Sequence, residues 1–167
     1  MCPTITPKDV DVTRLVGDWE EWERSTNAKD ETESCGKLSF SAPDANGDVK
    51  LIFSAASSIV GGNSVLGGIA RFDQNKITID LHLPVLGIIT NMTYYMLEND
   101  YDNYYVVWSC QQFRKGYIPT VYVKVRSLDS VNGLEAIVKN ALKKRGLPMV
   151  QLTKEKRAGC ADCFSDD

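Results

Sequence analysis

The residues able to do chemistry are few, and their inventory excludes several classes of enzyme. The chain of 167 residues contains one histidine, His82. A single histidine nearly excludes a Ser-His-Asp hydrolase or a metal site built from several histidines. His82 itself is more typical of a hydrogen-bonding residue than of a metal ligand. We therefore expect no metal centre and no catalysis of either kind.

The cysteines are spread along the chain instead of being grouped with the spacing of a zinc site. They are Cys2, Cys35, Cys110, Cys160 and Cys163. Wide spacing favours two long-range disulfides and an oxidising compartment. Cys160 and Cys163 form a Cys-x-x-Cys pair, which offers a redox motif as an alternative, but no helix follows to lower a thiol pKa. Asn91-Met92-Thr93 is a glycosylation sequon, and it agrees with secretion.

Charge and hydropathy limit the partners and the compartment. The net charge is −3, from 22 acidic and 19 basic residues, so there is no basic field to hold a nucleic acid. The chain contains no run of about 18 apolar residues, the length that a helix needs to cross a bilayer. The first residues lack the layout of a secretion signal. We expect either an intracellular protein or a mature chain, and the cysteines favour the second, a secreted protein.

Alternating apolar residues and turn signals predict eight short strands. They cover residues 19–25, 35–41, 49–55, 65–72, 77–82, 90–97, 104–110 and 118–126. Asn46-Gly47 supplies a tight turn, because this dipeptide accepts the positive φ angles of hairpin turns. Eight short strands spaced about ten residues apart are typical of an all-β barrel or sandwich.

The pattern changes after residue 127 to the period of an amphipathic helix over about 130–145. The residues of its apolar stripe are Leu134, Ile137, Val138, Ala141 and Leu142. Asp129 or Ser130 is expected to cap its start, and Gly146 followed by Pro148 to end it. The stripe predicts a helix that lies against the outside of the strands.

The chain shows no internal repeat and no linker, which predicts one domain over residues 1–167. Its expected parts are a barrel over about 17–126, the helix, and a tail over 149–167 that carries cysteines. Residues 149–153 are a candidate ninth strand.

Three motifs accompany this order of elements. Gly17-Asp18-Trp19 opens the first strand, Asn99-Asp100-Tyr101 forms the turn between strands six and seven, and Arg126 ends strand eight. Together they resemble the lipocalins, and most closely the group of apolipoprotein D, the insect bilin-binding proteins and retinol-binding protein. Asn99 departs from the threonine that is usual in the second motif. The resemblance implies an eight-stranded antiparallel up-and-down β-barrel with a C-terminal α-helix packed on its outside.

The resemblance also implies structural roles for two of these residues. Trp19 would close one end of the barrel as a wide apolar stopper. The Arg126 guanidinium would stack on the Trp19 ring while donating to nearby carbonyl groups. Both residues are therefore expected to belong to the scaffold.

The disulfide scheme of the same group would pair Cys2 with Cys110, and Cys35 with a cysteine of the tail. Cys160 fits the spacing after the helix better than Cys163. Cys163 would then be free or linked to a partner. Each disulfide would close a long loop and restrict the unfolded chain.

An eight-stranded barrel can hold one small ligand, and alternation predicts the side chains that line it. On strand eight the family register turns Tyr122 and Lys124 inward. The candidate ligand-binding residues are Leu38, Phe40, Val49, Leu51, Phe53, Ile79, Leu81, Tyr94, Met96, Tyr122 and Lys124. Ile77, Met92 and Thr120 share the same faces, while Val121, Val123 and Val125 would pack under the helix. Such a lining suits a flat lipophilic molecule, although some of these residues would instead fill the closed half of the barrel.

Lys124 stands out in a run of valine and tyrosine. A buried ammonium is costly unless it is paired. We expect it to meet Glu21, Glu23 or Glu98, or a ligand carboxylate, unless its side chain extends to the rim of the closed end. Strand one reads Trp-Glu-Glu-Trp-Glu-Arg from Trp19. Strict alternation fails there, so it stays open which glutamates face inward.

An uncharged segment over residues 83–89 is expected at the open mouth, next to His82. Ile59-Val60-Gly61-Gly62 would lie at the same end. An apolar rim of this kind suits a lid over the ligand, a contact with a second copy in a homo-oligomer, or a shallow membrane contact. A loop folded inward over its own barrel is the alternative.

The resemblance implies a secreted, non-enzymatic carrier of a small hydrophobic ligand such as a tetrapyrrole, carotenoid, retinoid or fatty acid. No cofactor is required, although the ligand itself would be a bound chromophore or lipid. A lipocalin that binds small amines or a partner protein is an alternative. A further alternative is an isomerase like prostaglandin D synthase, with Cys35 as the nucleophile. That thiol must be free to react, and the expected disulfide to the tail would disarm it.

Overall fold

Eight antiparallel strands close into a barrel, and one helix lies outside it. The computed structural model describes residues 1–25, 33–57, 63–73, 76–82, 89–128 and 132–154. The strands of the barrel are β1 (Gly17–Ser25), β2 (Glu33–Phe40), β3 (Val49–Ser57), β4 (Asn63–Asp73), β5 (Lys76–His82), β6 (Ile89–Asp100), β7 (Tyr104–Phe113) and β8 (Gly116–Val125). A 3-10 turn (Val12–Arg14) precedes them, and α1 (Leu134–Lys144) and a short β9 (Leu152–Lys154) follow. Each strand pairs with the next, and β1 pairs with both β8 and β2, which closes the ring.

The apolar side chains form two layers, one inside the barrel and one between the barrel and α1. The inner layer includes Trp19, Leu51 and Met96. In the outer layer Val121, Val123 and other residues of β6 to β8 meet the buried face of the helix. Alternation along β8 separates the two layers, because successive side chains of a strand point to opposite faces. The prediction that the valines of this strand pack under the helix is therefore confirmed.

Helix α1 begins later than the sequence pattern predicts. It starts at Leu134, after Gly133 in a left-handed conformation with φ of 78°, which glycine adopts without the steric cost that a side chain brings. The expected capping residues, Asp129 and Ser130, lie outside the described residues. The predicted stripe is correct, and its buried members are Leu134, Val138, Ala141 and Leu142.

Arg145 connects three parts of the molecule at the end of α1. Its guanidinium donates hydrogen bonds to the carbonyl oxygens of Thr6 at 2.9 Å, Ala141 at 2.9 Å and Leu97 at 2.7 Å. These bonds hold the N-terminal segment, the helix and β6 together. Because the acceptors are backbone carbonyls, the contact fixes how the helix lies against the barrel.

Trp19 closes one end of the barrel. Its side chain is completely buried, and its indole N–H donates to the Leu15 carbonyl at 2.8 Å. The Arg126 guanidinium lies 3.7 Å from the centre of the indole ring. It also donates to the carbonyl oxygens of Arg14, Asp18 and Tyr101 at 3.0 to 3.1 Å. The expected stack of Arg126 on Trp19 is present.

Gly17 is required at this closed end. Its φ of 107° disfavours any other residue, and a β-carbon there would lie 3.0 Å from Nη1 of Arg126. Absence of a side chain thus lets the arginine reach over the tryptophan. The glycine, the tryptophan and the arginine form one structural unit.

A disulfide joins Cys2 to Cys110 on β7, with 6.1 Å between the α-carbons. It ties the N-terminal segment to the outside of the barrel. The side chain of Cys35 and residues 155–167, which include Cys160 and Cys163, lie outside the described part of the chain. The second pairing therefore stays a prediction.

A β-bulge on β1 explains why alternation fails in this strand. Glu21 pairs with Lys124 and Glu23 pairs with Val123. Since Lys124 and Val123 are adjacent on β8, β1 has one extra residue, Trp22, between their two partners. Glu21 faces the barrel interior, whereas Trp22 packs in the outer layer. The bulge places Glu23 on that outer side as well, near Glu135 of α1 and Lys154 of β9.

Few favourable contacts offset the burial of the acidic side chain of Glu23. The residue is 1% exposed, and neither carboxylate oxygen has a hydrogen-bond partner among the described residues. Burial, and then the negative charge of Glu135, raise the pKa of Glu23 above its usual 4.5, while Lys154 and Trp22 partly oppose this shift. Folding therefore makes Glu23 easier to protonate than it is in the unfolded chain.

We expect Glu23→Met to raise the free energy of unfolding at pH 7 by about 1–3 kcal/mol, the cost of an unsatisfied buried polar group. Since the folded pKa is raised, the stability that protonated Glu23 contributes is complete below pH 4.5 and is lost as the pH rises through the folded pKa. Urea unfolding at several pH values should show this loss in the original chain but not in the variant. Equal pH dependence of the two proteins would contradict the assignment.

Candidate ligand-binding site

The barrel contains a cavity of about 450 Å³. This volume lies within the range of pockets that hold small molecules. Its lining residues are Leu15, Glu21, Arg24, Leu38, Phe40, Leu51, Phe53, Leu66, Phe72, Ile77, Ile79, Leu81, Met92, Tyr94, Met96, Tyr105, Val107, Tyr122 and Lys124. Every strand of the barrel contributes at least one of them.

The structure brings all of the predicted ligand-binding residues to this cavity except Val49. Val49 is 1% exposed and belongs to the packed inner layer. Leu51 pairs with Phe40, and Phe40 pairs with Gly17 at the closed end. Val49 lies two residues further toward that end, so its side chain fills the core instead of the cavity. Alternation predicts its face correctly but not its depth.

Several lining residues were missed by the sequence analysis. They are Leu15, Arg24, Leu66, Phe72, Tyr105 and Val107. Leu66 and Phe72 lie on one face of β4, so extending the alternation argument to this strand would have found them. Tyr105 and Val107 carry no such signal, because β7 is apolar on both faces: one faces the cavity and the other meets α1.

The cavity has two chemically different walls. Among the residues that the structure describes, those lining the cavity from β2, β3, β4 and β5 all have hydrocarbon side chains. The charged and tyrosyl lining residues come from the opposite wall, formed by β1, β6, β7 and β8. A bound ligand would therefore contact apolar surface on one side and polar groups on the other.

Lys124 and Glu21 form an ion pair on the polar wall. The Lys124 ammonium lies 3.5 Å from Oε1 of Glu21, and the two residues are 8% and 4% exposed. Register places them opposite each other on β8 and β1. The structure thus selects Glu21 from the three glutamates considered, and it places the ammonium in the cavity wall. Each charge partly offsets the cost of burying the other. Removing either partner alone would leave a buried charge without its counter-ion, which is unfavourable.

Aromatic rings surround this ion pair. The ammonium lies 5.9 Å from the centre of the Phe53 ring and 5.7 Å from that of Tyr122. Tyr94 meets Tyr122 edge to face, with 6.0 Å between ring centres.

Burial, and then the charge of Glu21, raise the pKa of Tyr105 far above its usual value. Its hydroxyl group is therefore protonated at every physiological pH and can donate a hydrogen bond into the cavity.

Other residues singled out by the sequence lie away from the cavity. His82 and Asn91 are exposed, at the end of β5 and on β6. Glycosylation of Asn91 stays a prediction. Residues 59–62 and 83–88 lie outside the described residues, so neither the lid nor its alternatives are tested. Within the described ranges no cluster of His, Cys, Asp and Glu side chains is arranged to hold a metal ion, and none of the described helices is long and apolar enough to span a membrane.

A closed eight-stranded antiparallel barrel with an arginine-stacked tryptophan at one end and a single helix outside defines the lipocalin fold, and comparison with solved structures places this chain in that fold. Neither a sequence-family model nor a curated protein sequence matches the chain. The barrel fold that the sequence motifs implied is thus confirmed.

Three of the solved structures similar to this chain come from arthropods. Insecticyanin from the tobacco hornworm Manduca sexta has a TM-score of 0.79 and 17% identity, with 96% of this chain and 89% of that chain covered. The cockroach allergen Per a 4 has a TM-score of 0.72 and 19% identity, with 96% and 97% covered. The amine-binding protein of Rhodnius prolixus, solved as its tryptamine complex, has a TM-score of 0.66 and 21% identity, with 92% and 85% covered. At these identities the likeness concerns the fold.

Proposed function

We propose that this protein is a secreted carrier that binds a small, mainly hydrophobic ligand inside the barrel. The observation that carries the proposal is the cavity of about 450 Å³, in which the described lining residues of one wall are all hydrocarbon. The disulfide between Cys2 and Cys110 supports secretion, since disulfides persist in oxidising compartments. Binding without catalysis requires nothing further from the lining.

Transfer of apolar ligand surface out of water supplies the affinity. Burial of about 400 Å² of ligand surface is worth about 10 kcal/mol at about 25 cal/mol/Å², before the entropic cost of association. A tetrapyrrole, carotenoid, retinoid or fatty acid offers hydrocarbon to the apolar wall. Its polar group would then face the wall that carries Glu21 and Lys124.

Binding of a small amine is the second candidate. Glu21 is an acid within the cavity, and the Rhodnius prolixus protein of similar fold is an amine-binding protein. In this chain, however, the carboxylate of Glu21 already faces the ammonium of Lys124. An amine would have to compete with that lysine for the same oxygen atoms.

Catalysis by Cys35 on β2 is the third candidate function. The lining described here offers tyrosine hydroxyls and the Glu21–Lys124 pair, but the side chain of Cys35 is not among the described ones. We favour the carrier because binding alone accounts for the cavity. Alkylation of the denatured, non-reduced protein would test the isomerase alternative, since it requires Cys35 to be a free thiol.

Leu66→Trp tests the carrier function directly. Leu66 lines the cavity from β4, so the larger indole should fill part of the space that a ligand needs. We expect the affinity for N-phenylnaphthylamine, a neutral fluorescent hydrophobe, to fall by about tenfold or more. Fluorescence titration measures the dissociation constant.

Val65→Trp is the matched control for this experiment. Val65 is the preceding residue of the same strand and is 61% exposed on the outer face. Its replacement adds the same side chain outside the barrel, and the dissociation constant should not change. Equal loss of affinity in both variants, or in neither, would contradict binding inside the cavity.

A further inference from the structure

The hairpin between β7 and β8 turns at the end of the barrel opposite Trp19. At the closed end, β8 stops at Val125, which pairs with Glu20, the neighbour of Trp19. Gly116, the first residue of β8, and Phe113, the last of β7, form the final pair at the other end of the ladder. Because β8 has ten residues, this pair lies about 30 Å along the strand from the closed end.

Exposed apolar side chains lie at this end of the hairpin. Phe113 is 49% exposed and Ile118 is 38% exposed. Ile118 pairs with Gln111, two residues before Phe113, so both side chains lie on the same face of the hairpin. Alternation continues that face to Val107 and Tyr122, which line the cavity. The exposed apolar groups are therefore on the cavity side of the hairpin.

Two cations form the turn itself. Arg114 and Lys115 are the two residues between the final pair of the ladder, and both are exposed. Within the described ranges neither of them has an ion-pair partner. The sequence contains no acidic residue between Asp102 and Asp129. This end of the hairpin is thus positively charged on a chain whose net charge is −3.

We propose that the tip hairpin, residues 113–118, binds the surface of membranes that contain anionic lipids. Phe113 and Ile118 enter the boundary between headgroups and acyl chains, and Arg114 and Lys115 bind the lipid phosphates. Apolar side chains beside cations are the combination that binds such a surface. This inference goes beyond the proposed carrier function, which requires no membrane.

Size and charge favour a lipid surface over a protein partner. A standard protein interface buries about 800 Å² on each partner, whereas a two-residue turn with two adjacent apolar side chains offers a small surface. A second copy of this chain would bring the same two cations against the first pair, and like charges repel. A bilayer requires no complementary shape, and its anionic headgroups attract the two cations.

Sedimentation with lipid vesicles tests the inference. The full-length protein is mixed with vesicles of phosphatidylcholine alone, or of equal parts of phosphatidylserine and phosphatidylcholine, at low salt. We expect binding to the phosphatidylserine vesicles to be about tenfold tighter or more. About 1 M sodium chloride should remove most of this difference, because the screening length then falls to about 3 Å.

A double variant removes the charge of the tip hairpin. One cation near an anionic surface contributes about fivefold to binding, so Arg114→Ser with Lys115→Ser should weaken binding to the phosphatidylserine vesicles by about 25-fold. Lys139→Ser with Lys143→Ser is the matched control. Lys139 and Lys143 are exposed on α1, so this variant loses the same charge elsewhere on the surface, and its binding should not change.

Phe113 provides the test of insertion. Phe113→Ala should weaken vesicle binding by about fivefold, whereas Ile52→Ala should not, although Ile52 is 55% exposed on β3. The emission of Phe113→Trp should shift to shorter wavelength when phosphatidylserine vesicles are added, because the new indole leaves water. Ile52→Trp should show no shift.

Several results would overturn membrane binding by the tip hairpin. They are no binding to phosphatidylserine vesicles, equal binding to both kinds of vesicle, and equal losses in the hairpin and control variants. Self-association that Phe113→Ala abolishes, without binding to vesicles, would identify a second copy as the occupant instead.

The carrier function is measured separately. Without vesicles, Phe113→Ala should bind N-phenylnaphthylamine as tightly as the original protein, and a lower affinity would place Phe113 in the ligand site and overturn its role at the membrane. Failure of the original protein to bind this probe would count against the carrier function, while vesicle binding with the expected variant pattern would still support the membrane contact.

Discussion

Replacement of Trp19 by alanine is expected to lower the free energy of unfolding by about 3–5 kcal/mol, the range for truncating a large buried aromatic side chain. Trp19 is completely buried. The variant loses the hydrogen bond to Leu15 at 2.8 Å, the edge-to-face contact with Tyr105 at 4.6 Å and the stack with Arg126 at 3.7 Å. Equilibrium unfolding in urea, followed by far-UV circular dichroism, measures the change.

Trp22→Ala is the matched control for this prediction. It removes the same side chain three residues further along β1, where the indole is only partly buried in the outer layer and has Lys154 at 5.4 Å. We expect less than half of the loss seen for Trp19, because less apolar surface returns to water. Equal losses in the two variants would show that Trp19 is not the stopper of the barrel.

Trp19→Phe separates the ring from its hydrogen bond. Phenylalanine keeps an aromatic surface beneath Arg126 but leaves the Leu15 carbonyl without its indole donor. An unsatisfied buried acceptor and the smaller ring together should cost about 1–3 kcal/mol, which is less than the alanine variant. A smaller loss of unfolding free energy for phenylalanine than for alanine would show that Trp19 stabilises the barrel mainly by packing.

The strands and the cavity face of half the barrel were predictable from the sequence because alternation there is regular. On β2, β3, β5 and β6 one face is apolar and the other is mixed, so the inward side chains can be read from their spacing. Conversely, β7 runs apolar through Tyr105, Val106 and Val107, which are buried on alternating sides. A strand covered on both faces carries no alternation to read.

Depth and register could not be predicted, because they depend on long-range pairing. Val49 has the expected face but lies too near the closed end to reach the cavity. The bulge at Trp22 hides the orientation of the glutamates of β1, and only the pairing with β8 shows that Glu21 is the partner of Lys124. A one-residue change of register reverses every side chain of a strand, so local spacing could not decide among three acids.

Loss of the disulfide between Cys2 and Cys110 is expected to have the other large effect. Its two residues are 108 positions apart, and closure of a loop of that length contributes about 4–5 kcal/mol in the chain-entropy model. The double variant Cys2→Ser, Cys110→Ser should lose stability of that order without leaving an unpaired thiol at either position. Urea unfolding without reductant measures it, and the m-value should rise because the unfolded chain becomes less compact.

Gln112→Ala controls for the local contact at the disulfide. The side-chain carbonyl of Gln112 accepts a hydrogen bond from the Cys2 amide at 3.3 Å in an exposed position, so its removal should change the stability little. An unchanged urea midpoint in the double cysteine variant would contradict the entropic contribution.

The location of the effect can also be tested, because the N-terminal segment has other attachments to the folded barrel. The Lys8 amide donates to the Met96 carbonyl at 2.8 Å, and Arg145 donates to the Thr6 carbonyl at 2.9 Å. These bonds should keep the segment in place when the disulfide is absent, so the change acts mainly on the unfolded chain. Under conditions in which the double variant is folded, we therefore expect it to bind N-phenylnaphthylamine as tightly as the original protein. A parallel loss of affinity would mean that the disulfide maintains the shape of the cavity itself.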